Sequence, residues 1–75
     1  MLQKSKLKKA INASRKKIAT LEQKRTRSQA ALVYALLNHT TPADADIAYF
    51  NQFTMQIENE RNHMHELMAE LEKLV

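Results

Sequence analysis

The chain has 75 residues, no Cys, no Gly, one Pro, and a formal net charge of +4. One domain at most fits this length, and a single core of this size supplies only about 3–5 kcal/mol. Without Cys there is no disulfide or thiolate chemistry, and without Gly there is no Gly-rich phosphate loop and no supply of turns for an all-β fold.

The first predicted element is a long helix over residues 4–37. Leu7, Ile11, Ser14, Ile18, Leu21, Arg25, Ser28, Leu32 and Ala35 step alternately by four and three. That spacing keeps one stripe of a helix facing a partner helix, as in a coiled coil. The rest of the segment is rich in Ala, Lys, Leu, Gln and Arg, which are good helix formers. Residues 38–41 form the predicted turn, where Asn38 is suited to the left-handed conformation that ends a helix. The second predicted helix covers residues 42–73. Thr41 is its expected cap, and Pro42 its first residue, where a missing N–H costs nothing. Asp44 and Asp46 then lie beside the positive end of its dipole. Phe50, Phe53, Ile57, Glu60, Met64, Leu67, Leu71 and Leu74 repeat the seam spacing.

Two long helices and a short link imply an all-α antiparallel hairpin, one domain over residues 1–75, able to pair further into a four-helix bundle. The expected register sets Leu36 against Ile47, Leu32 against Phe50, Ile18 against Met64 and Leu7 against Leu74. It also sets Glu22 against Arg61 and Arg25 near Glu58. Charge is divided between the halves. Residues 1–38 hold ten Lys and Arg against Glu22 alone, a net +9, and residues 39–75 are net −5. The longest apolar run, residues 30–37, is far short of the ~20 residues that span a bilayer. The start of the chain lacks the apolar stretch of a secretory signal.

Three constellations invite a functional reading. Residues 30–37 are apolar all round the helix, so one helical partner cannot cover Val33, Tyr34 and Leu37 together with the seam. With Tyr49 and Phe50 they make the turn end the expected partner-binding surface, for another helical protein or a second copy. Lys8, Lys9, Arg15, Lys16 and Lys17 are the alternative surface, for nucleic acid, although no stacking aromatics accompany them. Glu60 and His63 have the Glu-x-x-His spacing of di-metal helical bundles, with Glu22 opposite. Arg25 and Arg61 in the same layer repel a cation, so a salt-bridge layer is the better expectation there, and no cofactor is called for. No Ser, Thr or His sits in a nucleophile-base arrangement, which makes a non-enzymatic role the expectation.

Two stretches carry a family resemblance: Thr41-Pro42-Ala43-Asp44 after a short loop, and the aromatic-led Tyr49-Phe50-Asn51-Gln52-Phe53 followed by Ile57-Glu58. In these the chain resembles the small co-chaperones of type III secretion needle subunits. The resemblance implies a short bacterial helical hairpin that works in the cytoplasm. It implies pairing with a helical-repeat chaperone and an assembly factor's role, keeping a needle protein unpolymerised. A dimeric hairpin that regulates through nucleic acid shares the architecture, and a di-metal four-helix-bundle protein is a third possibility.

Overall fold

The structure, a computed structural model, describes residues 2–74. It contains two helices, α1 over Leu2–Leu37 and α2 over Asp44–Lys73, packed as an all-α antiparallel hairpin. The rod measures 57 × 15 × 14 Å.

The predicted stripe of α1 is the stripe that α2 covers. Ile11, Ser14, Ile18 and Leu21 are buried, and Leu7, Arg25, Ser28, Leu32 and Ala35 are half-buried. On α2, Ile57 is buried, while Phe50, Phe53, Glu60, Met64, Leu67 and Leu71 are half-buried. The packing is densest at mid-length. Ile18, Leu21 and Ile57 form a cluster that Phe53 and Met64 close over, and Ile57 is only 1% exposed. The side-chain areas removed from water there supply most of the hairpin's own cohesion, at roughly 1.5–3 kcal/mol per fully buried aliphatic chain.

The seam weakens towards both ends. Leu74 is exposed, although it was expected to close on Leu7. At the other end Leu36 does not bury against Ile47, since Leu36 is 66% exposed and Ile47 is exposed as well. The covered stripe runs on through Leu32 and Ala35, with Ala31 beside them, whereas Leu36 breaks the alternating step and lies off that stripe, as Ile47 does on α2.

The link is longer than predicted, residues 38–43, and it is built differently. The α1 helix ends in a Schellman arrangement. The His39 N–H donates to the Leu36 carbonyl at 3.1 Å and the Thr40 N–H to the Ala35 carbonyl at 2.9 Å. His39, not Asn38, takes the left-handed conformation, with φ of 55°. Asn38 instead stays in the helical pattern, its N–H and its side-chain amide both donating to the Tyr34 carbonyl. The Thr40 hydroxyl also donates to the Ala35 carbonyl, so at Tyr34 and Ala35 a side-chain donor joins the backbone N–H on one carbonyl.

Thr41 does not cap α2, and Pro42 precedes the helix rather than opening it. The cap residue is Ala43, with extended backbone (φ −65°, ψ 141°) and no side-chain hydrogen bond. Its carbonyl accepts from the N–H groups of Asp46 and Ile47. The reason is reach. Helix axes in contact lie about 8–10 Å apart. With His39 spent on stopping α1, the four residues Thr40 to Ala43 must cross that gap, and extended chain covers about 13 Å in four residues. Pro42 helps by biasing Thr41 away from the helical region.

Candidate interaction surface

Each sequence-predicted site lands on a different part of the rod. The polar layer lies beside the central cluster. Ser14 is 3% exposed, and its hydroxyl donates to Glu60 Oε1 at 2.8 Å. Lys17 Nζ lies 3.3 Å from Glu60 Oε2. The Ser14 hydrogen bond, with help from Lys17 and from the charge of His63, holds the Glu60 carboxyl below its ordinary value against the opposing pull of burial. Across the hairpin, Arg61 donates to Glu22 Oε1 at 3.0 Å, as the register predicts. Arg25 and Glu58 share the lining of one cleft with Thr54 and His65, but among the described residues they form no ion pair.

These contacts answer for the di-metal candidates. Glu22 is committed to Arg61 and Glu60 to Ser14 and Lys17, while His63 points from the exposed side of α2. Two cations and a hydroxyl donor occupy the carboxylate oxygens that a metal would need. Among the described residues no three His, Asp or Glu side chains come together as a ligand set.

The nucleic-acid candidates Lys8, Lys9, Arg15, Lys16 and Lys17 are all exposed. They do not share one face. Lys9 and Lys16 lie seven residues apart on one row of α1, Lys8 and Arg15 on a neighbouring row, and Lys17 turns to Glu60. No Lys among residues 4–9 reaches within ion-pair distance of Glu66, Glu70 or Glu72 among the described residues, so the expected matching across the open end is absent as direct contact.

The turn end is different in kind. Tyr34 is 71% exposed and Leu37 74%, and Val33 and Tyr49 are exposed too. Phe50 is half-buried in the seam, so it supports the surface rather than displaying it. Tyr49 stacks on Phe53 with ring centroids 6.2 Å apart and an interplanar angle of 17°, which fixes the Tyr49 ring over the edge of the core. Leu36 and Ile47, assigned to the seam from sequence, join the exposed set. On α1 a shallow, almost wholly apolar groove of about 390 Å³ runs along Thr26, Gln29, Ala30, Val33, Tyr34 and Leu37. The hairpin thus exposes six large apolar side chains near one end, and the α1 groove gathers three of them, Val33, Tyr34 and Leu37. Scattered singles such as Met55 and Met68 elsewhere carry no such weight.

Comparison of the chain with protein-family models, with curated proteins and with solved structures found no match in any of the three.

Proposed function

We propose that this chain is a non-enzymatic protein-interaction module that binds and stabilises a helical partner through its turn end. The observation that carries this reading is the exposure of Val33, Tyr34, Leu36, Leu37, Ile47 and Tyr49 together at one end of a rod whose core is elsewhere. An apolar surface that the fold does not use internally favours a second helix laid against it. The narrower assignment, a bacterial cytoplasmic co-chaperone or assembly factor of the secretion type, rests on the resemblance in Thr41 to Asp44 and Tyr49 to Phe53. No helix among the described residues is long and apolar enough to cross a membrane.

A second reading is a regulator that binds nucleic acid through α1. Its support is that Lys8, Lys9, Arg15 and Lys16 are exposed and enter no ion pair among the described residues. One experiment separates the two. The tagged chain is purified from its host with and without nuclease, alongside Val33→Glu/Leu37→Glu and Lys8→Ala/Lys9→Ala/Lys16→Ala variants. The first reading expects a nuclease-resistant protein partner that the Glu variant loses and the Ala variant keeps. Nucleic acid retained by the native chain and lost with the lysines would favour the second reading.

A further inference from the structure

The seam that α2 covers is not the only coiled-coil stripe on α1. Ala19, Gln23, Thr26, Ala30, Val33 and Leu37 step by four, three, four, three and four, and all six are exposed. That stepping keeps them on one face of α1, away from the buried Ile18 and Leu21. Two shallow grooves run end to end along it. One, of about 550 Å³, is lined by Ala19, Glu22, Gln23, Thr26 and Arg27, and the apolar groove takes over at Thr26 and continues to Leu37. Small side chains at Ala19, Thr26 and Ala30 set a short interaxial distance for a helix laid there.

Continued towards the start of α1, the same stepping meets Lys16, Asn12 and Lys9, with Arg15 and Lys8 on the adjoining row. The face is thus apolar near the turn and basic near the open end. These four cations are exposed and enter no ion pair among the described residues. Glu22 is the one acid of α1, and Arg61 already holds it.

The two halves together select the occupant. Nucleic acid would meet the cations but leave the apolar groove unfilled. Helices that lie in a membrane surface use large apolar residues, whereas Ala19, Gln23, Thr26 and Ala30 are small or polar. A second copy of the chain offers the two requirements only on separate helices. Its α1 has the stripe without a free acid. Its α2 has the acids, but the exposed Ile47, Tyr49, Met55 and Met68 there step by two, six and thirteen and make no stripe. From these observations, and resting on the interaction reading above, we infer that this face of α1 docks one amphipathic helix of another protein. The apolar stripe of that helix sits on Thr26 to Leu37, and its acidic residues reach Lys9 and Lys16. The cations steer and orient the partner while the apolar end holds it.

Defined peptides test this on the full chain by fluorescence anisotropy. Each is a synthetic helix of about 30 residues, long enough at a rise of ~1.5 Å per residue to span Lys9 to Leu37, made in both chain orders. One half carries a Leu stripe at the alternating three-four spacing, and the other half carries Glu, Gln or Lys. In one chain order the Glu peptide should bind about tenfold tighter than the Gln peptide, and the Lys peptide weakest. Added salt should narrow that gap. Lys9→Glu/Lys16→Glu in the hairpin should erase the preference for Glu. Val33→Glu/Leu37→Glu should abolish binding with helical circular dichroism retained, and if that variant loses helix, the peptide ranking on the native chain still decides. Equal binding of the Glu and Gln peptides overturns the acidic partner and leaves the interaction reading standing. Binding that survives Val33→Glu/Leu37→Glu in a folded chain overturns the site. Failure of every peptide overturns the inference, and the purification from the host then decides the interaction reading separately. Duplex DNA or anionic phospholipid vesicles bound more tightly than the Glu peptide overturn it as well. So does a dimer in sedimentation equilibrium that Val33→Glu/Leu37→Glu dissociates, which gives the face to a second copy.

Discussion

The middle of the hairpin and its turn end are built from similar residues and put them to opposite uses. At mid-length, Ile18, Leu21 and Ile57 disappear from solvent, and the polar groups beside them are paired: Ser14 with Glu60, Glu60 with Lys17, Glu22 with Arg61. At the turn end, Leu36 and Leu37 are as apolar as anything in the core, yet they face water. The difference teaches that apolar content does not decide burial in a two-helix fold. Only one stripe per helix can be covered, and where the sequence is apolar all round, the remainder is left for something else to cover.

The sharpest way to break that contrast is to truncate one residue of each kind. Ile57→Ala should destabilise the hairpin by about 2–5 kcal/mol, the usual cost of a cavity in a packed site. Since that approaches the whole stability expected of so small a core, Ile57→Val, at about 0.5–1.5 kcal/mol, is the graded control. Leu37→Ala, measured by urea denaturation at a concentration low enough to keep the chain monomeric, should move stability by less than about 0.5 kcal/mol. Equal losses at Ile57 and Leu37 would mean the turn end is core after all.

Next in size is the polar layer. Ser14→Ala removes the hydroxyl that donates to Glu60 and leaves a largely enclosed carboxylate short of a donor, for a cost of about 1–3 kcal/mol. Ser28→Ala, whose hydroxyl returns only to its own helix at Lys24, should cost much less. The turn offers a change of opposite sign. His39 holds φ at 55°, a region in which Gly pays no steric cost, so His39→Gly should raise stability by up to about 1 kcal/mol, while a β-branched residue there should lower it. A fall in melting temperature for the Gly variant would exclude the left-handed turn.

The smallest effect is a pH dependence. The Glu60 carboxyl is held below its ordinary value in the fold. A group lowered on folding contributes stability that is fully present above its unfolded value and is lost as pH falls through its folded value. Denaturation curves taken from neutral to strongly acidic pH should therefore show a loss in the acid range that Glu60→Gln diminishes. An identical acid profile in the two proteins would remove Glu60 from the account.

Periodicity in the sequence carries the helices, their antiparallel pairing, the covered stripe of α1 and the Glu22 to Arg61 pair. It does not carry how tightly each rung closes. Leu36 and Ile47 both break the alternating step, which gives Ala35 on α1 and starts at Phe50 on α2, so pairing them by distance from the turn overrode a signal the spacing already held. Ser14 and Glu60 were visible as polar residues on the seam, but the expected register, with Ile18 facing Met64, sets Ser14 near residue 68, about two turns from Glu60, so their bond was not legible. The left-handed residue after α1 was misplaced by one, Asn38 for His39, because both residue types tolerate that region. The cap of α2 was misread because the Thr41-Pro42 signal is local, whereas the distance the link must cross is a property of the packed pair. The exposed Val33, Tyr34, Leu37 and Tyr49 were legible, since no single seam can absorb them.

The Ser14 to Glu60 bond joins residues 46 apart in sequence. It lies next to the cluster that holds most of the buried surface, so the chain cannot gain much by closing a short loop at the turn first. Helical segments relax in under about a microsecond, and the entropy of closing a loop grows only slowly with its length. The expected order of folding is docking at mid-length followed by seating outward in both directions, and hydrogen exchange checks it. The last segments to gain protection from hydrogen exchange, and the first to lose it, are then the two ends of the rod.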